Sequence, residues 1–145
     1  MPLFWKEEKP WWKVSIMIVK TIKDIEGTSR EVFAQNGNWV SKRLLLKEDK
    51  MGFSLHETII KAGTETLIWY KNHLEAVYCV EGEGEIETTR EGEIYTIKPG
   101  TMYALDKNDR HYLRAFKNDL KLLCVFNPPL EGGEVHDEDG SYPIK

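Results

Sequence analysis

The chain has 145 residues, of which 41% are hydrophobic and 30% charged, with 20 Lys and Arg against 24 Asp and Glu for a formal net charge of −4. This length suits one domain with a substantial core and leaves little room for a second. There is no basic surplus to hold nucleic acid or an anionic membrane, and no run reaches the ~18–20 apolar residues of a membrane-spanning helix. The two cysteines, Cys79 and Cys124, both sit in apolar runs (VYCV and LLCVF). That is the pattern of buried free thiols in a reducing, cytoplasmic setting rather than of a disulfide framework.

Residues 1–16, MPLFWKEEKPWWKVSI, mix charges with three tryptophans and lack the apolar h-region of a signal peptide, so they read as an extension. The domain then reads as residues 17–145, opening on a β-like segment, MIVKTI. Helical periodicity is weak throughout, although Asp24 to Phe33 leaves room for a turn or two. Short β-prone segments follow, separated by turn signals: WVSKRLLLK, GFSLHETIIKA, ETLIWYK, LEAVYCVEG, GEIETT, GEIYTIK, MYALD, HYLRAF and LKLLCVFNPP. About ten strands spaced ~8–12 residues apart predict a sandwich or barrel. Residues 88–92 read as a hairpin tip. The tail EGGEVHDEDGSYPIK is acidic and Gly-rich, which by composition alone describes a solvated or mobile segment.

One strand raises a chemical question. Leu74 to Val80 is apolar and β-prone, yet it contains Glu75, and a carboxylate taken out of water is costly unless something pairs with it. His73 shares the face of Glu75 by strand parity. Gly63, Trp69, Lys71, Glu75 and Gly82 stand at the spacing of the first cupin motif, G-x5-H-x-H-x3-E-x6-G, with both histidines replaced. Gly92, Gly100 and Tyr103 follow the second motif, G-x5-P-x-G-x2-H, in outline, with Lys98 at the proline position, Pro99 one residue later and tyrosine at the histidine position. The expected fold is therefore all-β: a single-domain cupin, a double-stranded β-helix (jelly-roll barrel) with at most short helices. Of the usual metal ligands only Glu75 survives, joined by Tyr103, and Trp69 and Lys71 cannot serve. The nearest candidate for a third ligand is His111, across the LDKNDRH turn. An O,O,N set suits iron better than zinc.

Four longer strings, WVSKRLLLKEDKMGFSLHETII, WYKNHLEAVYCVEGEGEIE, MYALDKNDRHYLRA and CVFNPPLEGGEVHDEDGSYP, closely resemble the ectoine synthase family over Met17 to Pro143. The resemblance implies cyclisation of N-γ-acetyl-L-2,4-diaminobutyrate to L-ectoine with loss of water, a homodimer, and Fe(II) held by Glu75, Tyr103 and His111. It aligns Trp39, Arg43, Thr58 and Tyr70 with substrate-contacting positions. Arg43 suits a carboxylate, and Trp39 and Phe126 would wall the cavity and favour a cation. Glu134 and His136 also match. They make the tail a lid or wall of the site and, with Tyr70, are the candidates for proton transfer.

Each assignment has a plainer competitor. Glu75 alone would be a rim carboxylate paired with lysine, Tyr103 a half-buried aromatic and His111 a structural hydrogen bonder. Arg43 and Trp39 would be a surface ion-pair residue and a core aromatic. His73 falls between the motif positions and reads as a strand-entry hydrogen bonder. His56 ranks below Thr58 as a barrel-lining residue. The competing functions are another small-molecule cupin enzyme, a dioxygenase or isomerase, which predicts an N-rich ligand set, and a non-catalytic solute-binding cupin.

Overall fold

The structure is a computed structural model that describes residues 17–144, so the reading of residues 1–16 lies outside the described residues. Its strands are β1 (Glu31–Phe33), β2 (Trp39–Leu45), β3 (Ser54–Ile60), β4 (Glu65–Ile68), β5 (Leu74–Glu81), β6 (Gly84–Thr88), β7 (Ile94–Ile97), β8 (Met102–Leu105), β9 (His111–Ala115) and β10 (Leu120–Asn127). They form two antiparallel sheets, a six-stranded one in the order β1-β2-β3-β10-β5-β8 and a four-stranded one in the order β4-β9-β6-β7. The two sheets face each other as a jelly roll. The expected all-β cupin architecture is the one found.

Period-two patterning builds both sheets. In β10, Leu120, Leu122, Cys124 and Phe126 are buried, while Leu123 and Asn127 between and after them are exposed. In β5, Glu75, Val77 and Cys79 point inward. The outward set is itself apolar: Leu74, Tyr78 and Val80 are 43–48% exposed. The core between the sheets includes Ile60, Ile68, Ile86, Ile97, Leu113, Leu120 and Leu122. Each such side chain contributes about 1.5–3 kcal/mol by leaving water.

Nine of the expected segments form β2 to β10, and the expected hairpin tip joins β6 to β7, with Gly92 N donating to Thr88 O at 2.9 Å. The opening segment differs. MIVKTI is not a strand; it runs into a short helix, α1 (Ile22–Ile25), because Thr21 N donates to the Asp24 carboxylate at 2.7 Å and closes the first turn. β1, which lacks an alternating pattern of useful length, is a three-residue strand paired with β2.

Gly82, the last glycine of the first motif, has φ +88, and a Cβ there would lie 2.3 Å from Asp119 O. Backbone conformation and close approach both demand glycine. Gly82→Ala is expected to destabilise the protein by about 2–4 kcal/mol, measured as a lowered urea midpoint at unchanged m-value.

Candidate active site

Register across the large sheet assembles the site. One inward row runs Arg43, His56, Cys124, Val77, Tyr103 across β2, β3, β10, β5 and β8. The next row runs Ser54, Phe126, Glu75, Leu105. Ser41 and Thr58 pair in a third. From the facing sheet, His111 begins β9 between Ile68 of β4 and Thr88 of β6. Residues 66 positions apart, Thr58 and Cys124, thus meet because the strands are neighbours, with Cys124 Sγ 3.7 Å from Thr58 Oγ1.

A small cavity of about 20 Å³ lies between these rows. Its wall includes Trp39, Thr58, Tyr70, Glu75, Tyr103, Phe126 and His136, all of them predicted site residues. Tyr103 also faces a neighbouring groove that His111 lines. The Tyr103 and His111 rings stand edge to face at 6.4 Å.

Burial governs the electrostatics of this wall. It pushes Glu75 up to about 8, against a smaller lowering effect of the Cys124 thiol. It pushes Tyr70 and Tyr103 well above their ordinary range, so both phenols are neutral. Burial, then the charge of Arg43, lowers His136 to about 4, leaving a neutral imidazole. Tyr70 OH and His136 Nε2 share a hydrogen bond of 2.9 Å.

The donors fit a divalent cation. His111 Nδ1 is 3.0 Å from Asp109 O, which fixes the ring, while the buried Nε2 has no partner. A free nitrogen with its opposite nitrogen bonded to a carbonyl is the usual arrangement of a metal-binding imidazole. The Tyr103 ring stands beside it, and Tyr103 shares the cavity wall with Glu75, a buried carboxyl with a raised pKa. No three described His, Cys, Asp or Glu side chains are grouped to hold a metal, so any such set depends on Tyr103.

The C-terminal segment closes the cavity rather than hanging free. Trp69 N donates to Gly140 O at 2.9 Å, Lys71 N to Ser141 Oγ at 3.1 Å and Asn72 Nδ2 to Tyr142 O at 3.0 Å. A Cβ at Gly140 would lie 2.3 Å from Leu67 O, so glycine allows the tail to seat. Tyr142 is buried and stacks on Tyr70 at 5.0 Å with an interplanar angle of 11°. The composition-based reading of a mobile tail is therefore corrected: specific hydrogen bonds and a buried aromatic outweigh local polarity.

Two assignments change with it. Arg43 is fully buried and does not line the cavity. Its guanidinium donates to Gly132 O at 2.5 Å, Glu134 O at 2.7 Å and Ser41 Oγ at 3.2 Å. It holds the tail instead of offering a free fork to a substrate carboxylate. Glu134 accepts the backbone N–H groups of Glu131 and Gly132, each at 2.7 Å, and lies 3.8 Å from Arg43. Burial alone would raise it, but these donors and Arg43 hold its carboxyl below the ordinary range. Those bonds tie it into the tail as a buried anion. His73 is buried with Nδ1 unpartnered, and the expected strand-entry hydrogen bond goes to its carbonyl, from Asn108 Nδ2 at 3.2 Å. His56 lies beside Ser41 and Phe126, outside the cavity wall.

A sequence model of the ectoine synthase family matches residues 17–145. The chain belongs to the ectoine synthase family. An L-ectoine synthase of Sporosarcina pasteurii is 65% identical over 128 residues, covering 88% of this chain and 94% of the relative. That of Halalkalibacterium halodurans is 59% identical over 128 residues, covering 88% and 97%. The crystal structure of ectoine synthase from P. lautus superposes with a TM-score of 0.74 at 59% identity, covering 79% of this chain and 80% of that one. The polyketide cyclase RemF from Streptomyces resistomycificus, at 18% identity and a TM-score of 0.64, covering 86% of this chain and 90% of its own, shares the fold alone.

Two cavity residues of this family member escape a sequence reading. Cys124 reads as a buried thiol, although its parity with Phe126 places it on the same inner face. Tyr142 lies beyond the last strand, where no periodicity points inward.

The raised Glu75 gives a pH test. In metal-free protein its carboxyl titrates near 8 when folded against 4.5 ordinarily. Its contribution is thus fully present below about pH 4.5 and lost as pH rises through about 8. Glu75→Gln is expected to gain roughly 2–5 kcal/mol on the wild type between acid and mildly alkaline pH, read from urea midpoints.

Proposed function

We propose that the protein is an iron-dependent hydro-lyase that closes N-γ-acetyl-L-2,4-diaminobutyrate into L-ectoine, releasing water. It would act as a cytoplasmic homodimer in making an osmoprotective compatible solute. The observation that carries this reading is the Tyr70–His136 pair on the same aromatic wall as Glu75 and Tyr103. The curated relatives bear the same enzyme name. No described helix is long and apolar enough to cross a membrane. The exposed apolar residues Leu74, Tyr78 and Val80 of β5 and Met102 of β8 offer surface for a second copy.

The reaction joins the α-nitrogen to the acetamido carbon and expels the carbonyl oxygen as water. Glu75, Tyr103 and His111 would hold Fe(II), which when bound polarises the acetamido oxygen as a Lewis acid. The residues of the chain have three tasks. Trp39, Tyr70, Phe126 and Tyr142 exclude water and hold the linear substrate folded, with amine and carbonyl in contact. Orientation of this kind contributes about 7–11 kcal/mol in favourable cases. The same ring faces attract the cationic amidinium product. Thr58 supplies a hydroxyl on the wall for a polar substrate atom.

His136 and Tyr70 move protons. His136 enters neutral and can accept a proton from the α-ammonium. Tyr70, kept neutral by burial and one hydrogen bond away, can deliver a proton to the departing oxygen. The proton that His136 takes passes through Tyr70 to the departing oxygen and one further amine hydrogen follows by the same pair, so the oxygen leaves as water, each ring nitrogen keeps one hydrogen as the amidinium, and both residues end neutral. Arg43 and Glu134 hold the tail that carries His136 over the cavity.

Protein loaded anaerobically with Fe(II) and given the acetylated diamino acid is expected to yield ectoine by chromatography, and Glu75→Ala to lose bound iron by elemental analysis. No product under those conditions overturns the proposal, and full iron content in Glu75→Ala overturns the ligand set. Tyr70→Phe is expected to lower kcat about 100-fold while keeping iron content and a near wild-type KM, separating proton delivery from binding.

A further inference from the structure

A second concavity, of about 510 Å³, lies outside the cavity just described. Three segments line it: Trp69 and Lys71 before β5, Thr88 to Arg90 at the β6–β7 tip, and Lys107 to Arg110 between β8 and β9. Its charged residues are Lys71, Arg90, Lys107 and Arg110 with one carboxylate, Asp109. In a chain of net charge −4 this local positive excess runs against the whole.

Two of the cations converge on one aromatic. Lys71 Nζ lies 4.9 Å from the Trp69 ring centroid and Arg110 Cζ 5.9 Å from it. Lys71 is paired with Asp139 at 2.6 Å. Among the described residues, Arg90, Lys107 and Arg110 form no ion pair. The floor is fixed: Asn108 Nδ2 donates to Tyr70 O at 2.9 Å and His73 O at 3.2 Å, and the Asp109 carboxylate accepts Lys107 N at 3.3 Å. Like charges held together by a tied loop repel each other, and a concave surface focuses their field. The occupant that relieves this is an anion.

We propose that this concavity is a binding site for a divalent oxyanion such as sulfate or phosphate. The rings and forks suit that class: arginine offers paired planar donors to tetrahedral oxygens, and lysine a point charge. The Trp69 ring already carries Lys71 and Arg110, so an aromatic ligand gains no stacking surface there. The basic residues surround one hollow rather than forming a stripe, so the site does not fit a nucleic-acid backbone.

Lys71 couples this site to the tail. Asp139 belongs to the turn in which Asp137 Oδ1 accepts the N–H groups of Asp139 at 2.9 Å and Ser141 at 3.1 Å. An anion in the concavity competes with Asp139 for Lys71, and by linkage loss of Asp139 strengthens the anion. The site does not depend on which reaction the neighbouring cavity performs.

Calorimetric titration of full-length, metal-free protein with sodium sulfate tests this, with sodium chloride adjusted to hold ionic strength constant. Saturable binding is expected with a dissociation constant on the order of 1 mM. The Arg90→Gln/Arg110→Gln double variant is expected to bind at least about tenfold more weakly, and Asp139→Asn about two- to fivefold more tightly. Lys107→Gln, expected to weaken binding severalfold, serves as the second variant should the double variant not fold. Heats that do not saturate, or that are equal in wild type and the arginine or Lys107 variant, mean an adventitious ion only and overturn the site. Unchanged affinity in Asp139→Asn overturns the coupling through Lys71.

Discussion

The structure turns on a carboxylate held away from water. Glu75 sits on the inner face of a central strand, where solvation is lost and only the weak Cys124 donor compensates in the metal-free chain. An ionised carboxylate there requires a cation; a neutral phenol stands on the neighbouring strand, and its ring faces an imidazole whose Nε2 has no partner. The surrounding wall is aromatic because aromatic rings exclude water, which keeps the demand for a cation high. The apolar cavity and its polar floor are thus two aspects of one constraint.

The tail is the second dependency. Polar contacts from the barrel are directed to a segment that follows the last strand. Arg43, one of the largest fully buried side chains, directs its donors to tail carbonyls, and Glu134 returns a carboxylate to the turn it belongs to. This arrangement brings His136 to Tyr70 and places Tyr142 over it. Buried charge paired and hydrogen-bonded in this way is costly to break from one side only, so the lid is specified by the same residues that a motif would assign to chemistry. The exposed Lys71–Asp139 pair fastens the outer edge of that lid more weakly.

Period-two alternation was legible and correct in most of the longer strands, although β2 buries Trp39, Val40 and Ser41 in succession. β3, β5, β9 and β10 could be read from their residues, and parity alone put Glu75 and His73 on one face. It failed at MIVKTI, where one local hydrogen bond from Thr21 to Asp24 favours a turn that alternation does not detect. It was also silent on β1, three residues long. Of the residues expected at the site, Trp39, Thr58, Tyr70, Glu75, Tyr103, Phe126 and His136 share one cavity wall. Arg43 and Glu134 bond to the tail instead, because residue type shows that a fork or a carboxylate is present and not what it will meet.

By itself, then, the sequence determined the β architecture, the family, and the set of chemical groups available, because these depend on local pattern and on residue types at fixed spacing. Tertiary structure alone decided how those groups are paired. Strand register joins Arg43 to His56 and Cys124 to Val77, chain return brings residue 142 onto residue 70, and burial sets which acids are neutral. These are long-range quantities: they depend on which segments become neighbours and on how much water is excluded between them, and neither is written in any one stretch of the chain.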